Sequence, residues 1–351
     1  MVYKAIDLFA GVGGIRLGFD QAFGDNAIKT VFVSEFEPYA VKTYAANFNE
    51  PTEGIANKNE SLIMSHTPFI YGDITKIDEK CIPEFDICLA GFPCQAFSIA
   101  GRKHGFDDDY KGMSRGTLFF DVARICEYHK PKVIFCENVK GLTMHDRGRT
   151  FEVIKGTFEE LGYTLFHKVL NSKDFGVPQN RERIYMVAFR NDIAPDSFEF
   201  PTHSGRKTTL RDILEEQVPS AKYYLSTQYL KSLEAHKRRH KDKGNGFGYV
   251  IRDIDGIAGA IVCGGMGRER NLIIDSRLKD FTPVTNIKGK VNRQGIRKMT
   301  PREWARLQGY PDTFDLSAVA DGHLYKQFGN SVSVPVIRAI AERIKVVLND
   351  Q

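Results

Sequence analysis

The first half of the sequence alternates short apolar runs with amphipathic stretches, and this alternation limits the possible folds more than any other feature. Runs that predict strands lie at 5–9, 30–34, 85–90, 133–136 and 184–189, and helical patterns lie at 38–48, 118–128 and 151–161. Strands that alternate with helices favour a parallel sheet covered on both faces. The sequence therefore predicts an α/β fold built on a doubly wound, mostly parallel sheet.

The alternation ends near Arg190, and the second half of the chain has a different character. Residues 191–296 are rich in Gly, Asp and basic side chains, and their short strand signals predict a second, smaller strand/loop-rich domain. Helical periodicity returns after Thr300, which forms a capping-box pattern with Glu303. We expect a first domain at 1–190 plus 320–351, joined by a helical segment at 297–319, with the last helix packed on the first domain.

Composition narrows the class of protein. No apolar run reaches the roughly 18 residues of a membrane-spanning helix, and the first residues do not have the pattern of a signal peptide. The six cysteines form neither a CxxC pair nor a Cys/His cluster with zinc spacing, so we expect no metal. A reduced, cytoplasmic protein is the simplest interpretation.

The positive charge is concentrated in one segment. Residues 191–300 contain 20 Lys and Arg against 13 Asp and Glu, whereas the whole chain has a net charge of only +5. An excess of this kind suits a partner with a phosphate backbone. A solvated basic face would have the same composition, so the charge alone leaves both interpretations open.

A glycine-rich turn between the first strand and the first helix predicts a cofactor site. The dinucleotide fingerprint requires a third glycine where this chain has Arg16, which disfavours a pyrophosphate cradle and an NAD enzyme. Glu35 ends the second strand, where an acid accepts hydrogen bonds from ribose hydroxyls. Asp73 follows, with Ile74 and Phe36 placed to flank an adenine ring. A nucleoside without phosphates indicates S-adenosyl-L-methionine, although a turn without a ligand stays an alternative.

A thiol, an acid and two arginines are expected at one edge of the sheet. Cys94 follows the strand at 85–90, Glu137 follows the strand at 133–136, and Arg181 and Arg183 precede the strand at 184–189. The carboxyl ends of parallel strands are where open α/β sheets bind ligands. A surface carboxylate and a structural salt bridge are the alternatives for Glu137 and for the arginines.

These motifs together resemble the DNA (cytosine-5) methyltransferases of bacterial restriction–modification systems. Their order along the chain is that of the family, and the most specific are Pro93-Cys94-Gln95 followed by Glu137-Asn138-Val139, and the segment at 327–332 near the end of the chain. The resemblance implies the S-adenosylmethionine-dependent methyltransferase fold. It also implies a methyl transfer to C5 of a cytosine that is flipped out of duplex DNA.

The resemblance assigns a role to each matching residue. It implies that the Cys94 thiolate adds to C6 of the base, that Glu137 holds N3, and that Arg183 contacts the base carbonyl and orients Glu137, with Arg181 beside it. The residues implied for the cofactor are Phe9, Gly11, Gly13, Glu35, Phe36, Asp73, Ile74, Pro93, Leu118, Asn330 and Val332.

DNA contacts are expected from two segments. A glycine-rich, charged stretch from Gln95 to Arg115 resembles the family's loop that closes over DNA, and it contributes Gln95, Ser98, Arg102 and Arg115. Residues 191–296 correspond to the target-recognition region, in which Arg268 and Arg270 are our candidates for reading guanine in the major groove. A role in phosphate binding alone is an equal alternative for these two arginines. We expect a monomer, and the resemblance implies a cognate restriction endonuclease but no stable protein partner.

Three other functions compete with this interpretation. An RNA (tRNA) cytosine-5 methyltransferase shares the chemistry, although the Cys-Phe-Thr element of one such relative is absent here. A non-catalytic DNA-binding regulator on the same fold would be marked by loss of Cys94 or Glu137, and both are present. An NAD-dependent oxidoreductase would leave Cys94 without a role.

Overall fold

The computed structural model describes residues 2–24, 26–50, 70–93, 118–285 and 289–350. The chain forms two compact units. Unit 1 consists of Met1–Asn171, Glu182–Thr202 and Val336–Gln351, and unit 2 consists of Ser172–Arg181 and His203–Pro335. Within the described ranges, no helix combines the length and the apolar character needed to cross a membrane.

Unit 1 is built on a seven-stranded sheet. Its strands are β1 (Tyr3–Leu8), β2 (Ile28–Ser34), β3 (Ile70–Tyr71), β4 (Ile87–Ala90), β5 (Val133–Val139), β6 (Tyr163–Asn171) and β8 (Glu182–Arg190). Their order is β3-β2-β1-β4-β5-β8-β6. The first five are parallel, as predicted, whereas β8 runs antiparallel to both β5 and β6. The sheet is therefore mostly parallel with an antiparallel edge.

Helices cover the sheet of unit 1 and bury its central strands. These helices are α1 (Gly14–Phe23), α2 (Pro38–Phe48), α3 (Phe119–His129), α4 (Arg149–Glu160) and α8 (Val334–Asn349). All four residues of β4 are buried, as expected for a parallel strand covered on both faces. The helix α2 begins where the sequence predicts it, because Glu37 accepts hydrogen bonds from two backbone amides and Pro38 occupies the first turn.

The last helix packs against the first, which confirms the expected return of the chain to unit 1. Gly18 of α1 lies so close to α8 that a Cβ atom there would be 2.6 Å from the Ile337 side chain. The Lys345 ammonium donates to the backbone carbonyls of Ala22 and Phe23, and the Tyr3 hydroxyl donates to the carbonyl of Leu348. Close approach and these end contacts fix α8 in place.

Unit 2 contains short strand pairs and three helices among its described residues. The strands β7 (Gln179–Asn180) and β9 (Ala258–Gly259) are parallel, and β10 (Leu272–Ile274) and β11 (Ile296–Lys298) are antiparallel. The helices are α5 (Thr227–Asp242), α6 (Pro301–Leu307) and α7 (Asp321–Asn330). The sixteen residues of α5 correct the expectation that 191–296 is made of strands and loops. Only Leu230 and Leu233 of α5 are buried, so its apolar periodicity is too weak to predict a helix.

The boundaries of the units differ from those expected. Residues 172–181 and 297–335 belong to unit 2, whereas the sequence placed 172–181 and 320–335 in the first domain. The Gln179 side chain provides a physical reason. Its amide nitrogen donates to the carbonyl of Leu307, and its oxygen accepts from the backbone amide of Ile261.

A fully buried arginine organises unit 2. The Arg297 guanidinium donates to Asp275 and makes two hydrogen bonds with Glu303, at 2.7 and 2.8 Å. Glu303 also accepts from the backbone amide of Thr300, so the predicted capping box at the start of α6 is present and shares its carboxylate with Arg297. Burial alone would raise the pKa of Asp275, but hydrogen bonds from Arg277 and Arg297 hold it below its ordinary value.

A buried polar cluster lies beneath the glycine turn of unit 1. The Tyr44 hydroxyl donates to Asp7 Oδ2, and Arg16 donates to Tyr44 and, at 2.6 Å, to Glu50. Asp7 Oδ1 is buried and has no hydrogen-bond partner among the described residues. Burial is the largest influence on Asp7 and raises its pKa to about 7, against the opposing effects of Arg16 and Tyr44.

The contact between α1 and α8 predicts opposite effects for two glycine substitutions. Gly18→Ala should destabilise the protein by about 1–3 kcal/mol, because the added methyl group overpacks the helix contact. Gly156→Ala in α4 is the matched control, since a Cβ there meets nothing within 4 Å. It should stabilise the protein by about 0.5–1 kcal/mol through the lower backbone entropy of alanine. Thermal unfolding of both variants checks this, and a higher Tm for Gly18→Ala would refute it.

Asp7 predicts a stability change with pH. Because its pKa is raised from 3.8 to about 7, the folded protein keeps a proton that the unfolded chain releases, so the free energy of unfolding falls as pH rises through this window. This pKa shift corresponds to a change in the free energy of unfolding of about 4 kcal/mol at most. Asp7→Asn should therefore gain stability relative to wild type between pH 5 and pH 8, measured by urea unfolding. The exposed Asp78→Asn controls for loss of one charge, and a pH-independent difference for Asp7→Asn would contradict the prediction.

Candidate active site

The turn between β1 and α1 holds three residues in the left-handed region. Phe9, Gly11 and Gly13 have φ values of 57°, 55° and 82°. Gly13 must be glycine on steric grounds as well, because its Cβ would lie 2.2 Å from the Phe48 ring. A Cβ on Gly11 would meet nothing within 4 Å. The turn is therefore strained and leaves open space beside its backbone, a combination common at ligand sites.

Glu35 fixes this turn from the end of β2. One carboxylate oxygen accepts from the backbone amide of Gly11 at 2.7 Å, and the other accepts from that of Glu37 at 2.8 Å. Burial raises the pKa of Glu35, and these backbone donors oppose the rise. Each oxygen keeps a further lone pair, so the carboxylate can hold the turn and accept another hydrogen bond.

The next two predicted cofactor positions differ in exposure. Phe36 has 53% of its surface exposed, directly after Glu35. Asp73 accepts hydrogen bonds from the amide and the hydroxyl of Thr75 and caps a short 3-10 turn, whereas Ile74 is buried in the core. An exposed aromatic face and a fixed acid thus follow β2 and β3 respectively.

Asn138 ties the end of β4 to the end of β5. Its side-chain amide donates to the carbonyl of Phe92 at 2.9 Å, and its oxygen accepts from the backbone amide of Val139. Pro93, the next residue, is exposed. Leu118, where the described chain resumes, is half-buried and precedes α3. The chain leading to Cys94 is therefore held beside the strand that carries Glu137.

Glu137 and Arg183 form an ion pair at this edge. Arg183 Nε lies 3.3 Å from Glu137 Oε1, and both side chains are largely buried. The antiparallel register of β5 and β8 pairs Val139 with Arg183, which places the guanidinium diagonally across from the carboxylate. A second ion pair, between Lys140 directly after β5 and Glu182 of β8, is about half exposed.

Arg181 makes different contacts from Arg183, although the sequence predicts both arginines at one edge of the sheet. It falls between β7 and β8, is 2% exposed, and donates to the carbonyls of Ile261 and Ser331. Arg183 is therefore the arginine that contacts Glu137, and the contacts of Arg181 satisfy backbone carbonyls within unit 2.

The segment at 327–332, the motif near the end of the chain, is held by contacts with backbone atoms. Gly329 has no room for a side chain, because a Cβ would lie 2.5 Å from the Cys263 backbone nitrogen. Asn330, at the end of α7, is exposed, and Val332 is buried. Cys263 itself is exposed.

The candidate DNA-reading arginines are exposed in unit 2. Arg268 lies above the Tyr325 ring at 5.2 Å, and Arg270 lies above the Phe247 ring at 5.6 Å. Other predicted site residues lie outside the described part of the chain, namely Cys94, Gln95, Ser98, Arg102 and Arg115.

One residue that positions the site was not singled out from the sequence. Asn138 was named only as part of the Glu137-Asn138-Val139 motif. A polar amide at the end of a buried strand is the signal that was available, because a buried amide requires hydrogen-bond partners.

Comparisons with known proteins agree with this geometry. The model of the family described as C-5 cytosine-specific DNA methylase matches residues 3–346. The Type II methyltransferase M.HpaII of Haemophilus parainfluenzae is 54% identical over 346 residues, which cover 97% of this chain and 89% of that protein. M.HhaI of Haemophilus parahaemolyticus is 40% identical, with 99% and 95% covered.

Solved structures show the same fold. The Dnmt2 methyltransferase of S. pombe has a TM-score of 0.68 at 19% identity, with 99% of each chain covered. The Entamoeba histolytica methyltransferase EhMeth also has a TM-score of 0.68, at 20% identity, and covers 100% of this chain and 99% of its own. At such identities the likeness concerns the fold alone, whereas the family match and the close relatives establish more: this chain belongs to the C-5 cytosine-specific DNA methylases.

Proposed function

We propose that this enzyme methylates one cytosine within a specific duplex DNA sequence, with S-adenosyl-L-methionine as the methyl donor, as part of a bacterial restriction–modification system. We propose further that it acts in the cytoplasm as a monomer, associated with DNA rather than with a stable protein partner. A cognate restriction endonuclease is the protein whose cleavage this methylation would block.

The residues around the glycine turn fit a nucleoside cofactor. Gly11 leaves open space beside the backbone, Glu35 can accept a further hydrogen bond, and Phe36 presents an exposed ring. An acid at the end of the second strand is suited to ribose hydroxyls. S-adenosyl-L-methionine would supply an electrophilic methyl group, and its S-adenosyl-L-homocysteine product would occupy the same residues. By the family resemblance, Phe9, Gly13, Asp73, Ile74, Pro93, Leu118, Asn330 and Val332 complete the site.

The chemistry proposed for the chain's own residues is nucleophilic catalysis. The Cys94 thiolate adds to C6 of the cytosine, which makes C5 nucleophilic and divides one difficult step into easier ones. Glu137 holds a proton at N3 and stabilises the charge that develops during the addition. After C5 has accepted the methyl group, a base, for which a water molecule is a candidate, takes the C5 proton. The electrons of the C5–H bond restore the C5–C6 double bond, and the C6–S bond breaks to release the thiolate.

Arg183 has the position of a residue that orients Glu137. A charge-assisted contact with a carboxylate restricts its rotamer. In the proposed site Arg183 also contacts the base carbonyl. We propose that Arg181 contributes indirectly, through its hydrogen bonds to the carbonyls of Ile261 and Ser331.

The target cytosine must leave the helix before Cys94 can reach C6, at a cost of a few kcal/mol. We propose that Gln95, Ser98, Arg102 and Arg115 contact DNA around the extruded base. Arg268 and Arg270, both exposed, are the proposed base-reading residues of unit 2.

One observation carries the proposal. The Glu137–Arg183 ion pair lies at the end of β5, and Asn138 in the same strand holds the backbone two residues before Cys94. A carboxylate at the protein surface would need neither an arginine partner nor a neighbouring side chain that fixes the backbone, so the arrangement favours a catalytic role.

The substrate class can be tested with labelled S-adenosyl-L-methionine, duplex DNA and transfer RNA. Wild type should transfer methyl groups to duplex DNA, and Cys94→Ser should lose this activity, because serine is a far weaker nucleophile towards C6. Bisulfite sequencing of the product would give the recognised site. Methylation of transfer RNA but not of duplex DNA would sink the proposal.

Glu137→Gln should lower kcat by about 10²–10⁴, because glutamine has the same shape but cannot hold or transfer the N3 proton. The KM for S-adenosyl-L-methionine should not change by a comparable factor, and the Tm should stay close to that of wild type. Arg183→Lys should lower kcat less, since a lysine keeps the charge but not the planar guanidinium.

Glu182→Gln is the matched control for both variants. It removes a carboxylate from the same pair of strands, where Glu182 forms a half-exposed ion pair with Lys140, and surface pairs contribute little. Its kcat should stay within about twofold of wild type, consistent with a surface pair. An equal loss in all three variants would indicate a general effect on the sheet and would contradict the catalytic assignment.

A further inference from the structure

The helix α5 of unit 2 is largely exposed over its second half. Leu230 and Leu233 are its buried residues and pack with Leu225, Leu272 and Ile296. Tyr229 is half-buried against the same cluster, whereas most residues after Leu233 are exposed. The first half of the helix therefore anchors it to unit 2, and its second half faces solvent.

The exposed surface carries a high positive charge. From 231 to 243 there are six basic residues and two acidic ones, Glu234 and Asp242. The six are Lys231, Lys237, Arg238, Arg239, Lys241 and Lys243, and all six are exposed. Their density over thirteen residues far exceeds that of the chain as a whole, which has 49 basic and 44 acidic residues.

These cations differ from several other basic residues of unit 2, which pair with carboxylates. Arg211 pairs with Asp255 at 2.7 Å, Arg306 with Asp312 at 2.7 Å, and Lys298 with Glu269 at 3.1 Å. Within the ranges that the structure describes, none of the six cations, five in α5 and Lys243 directly after it, forms an ion pair with a carboxylate. Their charge is therefore available to an external anion.

The basic surface continues into the candidate recognition residues. The Lys237 ammonium lies 4.8 Å from the centre of the Tyr249 ring. The His240 ring contacts Phe247 at 5.8 Å, and the Arg270 guanidinium lies above the same Phe247 ring at 5.6 Å. A chain of ring contacts thus connects the end of α5 to Arg270.

We propose that the α5 basic face, defined as Lys237, Arg238, Arg239, Lys241 and Lys243, binds the phosphate backbone of duplex DNA beside the recognised sequence. This rests on the proposed function in one respect, that duplex DNA is the substrate. Phosphate contacts fix the register of a protein on DNA without reading the sequence. The α5 basic face therefore holds the duplex while Arg268 and Arg270 read it.

The test is the salt dependence of DNA binding by the full-length triple variant Arg238→Ala, Arg239→Ala, Lys241→Ala. The Kd for a duplex without the recognised site is measured between about 50 and 200 mM NaCl, the range in which counterion release dominates affinity. Each lost phosphate contact lowers the slope of log K against log salt by about 0.9, so we expect a slope shallower by about 2–3. The affinity should fall by a similar factor for every duplex sequence.

A control variant removes the same charge from unit 1. Lys4→Ala, Lys29→Ala, Arg343→Ala replaces three exposed cations that lie outside the proposed site. Its slope should match that of wild type. Alanine is a good helix former, so the α5 variant should keep its helical circular dichroism and, at saturating DNA, the wild-type kcat.

The following results would overturn the inference. They are an unchanged slope in the α5 variant, an equal change in the control variant, and a loss confined to the cognate sequence, which would make α5 a base-reading element. A stronger loss of binding to RNA than to duplex DNA would overturn it as well. If wild type methylates duplex DNA while the salt dependence of DNA binding is the same in the α5 variant as in wild type, only this inference fails. If wild type methylates only transfer RNA, the proposed function fails whatever α5 does.

Discussion

The antiparallel pairing of β5 with β8 is the constraint on which the candidate active site depends. A parallel strand beside β5 would bring its carboxyl end to the end of the sheet where Glu137 lies. The antiparallel β8 instead brings its amino end there, and with it Arg183. The guanidinium meets the carboxylate of Glu137 because the register pairs Val139 with Arg183. On the other side of β5, Asn138 fixes the backbone that leads to Cys94. Residues of one strand, β5, thus contact both Arg183 and the backbone of Phe92.

The two units handle buried charge in different ways. In unit 2, Arg297 is compensated by two carboxylates with good geometry, and removing one partner of such a group leaves an uncompensated charge. In unit 1, Asp7 is buried with one oxygen unpaired, and the site favours its protonated form. A neutral Asp7 avoids the cost of a buried anion directly below the strained turn. The glycine turn, the candidate cofactor site, therefore lies next to a carboxyl group whose pKa is raised to about 7.

Local signals in the sequence predicted local structure well. The bounds of α2 and α6 follow from Pro38 and from the Thr300–Glu303 capping box, which act within one turn. Strand direction could not be predicted in this way, because an apolar run such as 184–189 looks the same in either orientation. The helix α5 was missed because charge replaces the apolar stripe that periodicity detects. Arg181 and Arg183 are two residues apart, yet β8 begins between them and their side chains contact different groups. The spacing in the sequence does not reveal this difference.

The anchoring of residues 261–263 has a consequence for how this enzyme can change its target. Gln179 and Arg181 bond to the main chain of Ile261, and Gly329 packs against the main chain of Cys263. None of these contacts depends on which side chains the segment carries. The neighbouring candidate DNA-reading residues, Arg268 and Arg270, can therefore be replaced without loss of this attachment. If they read the target sequence as proposed, a change of target needs new side chains but no change in how the segment is anchored.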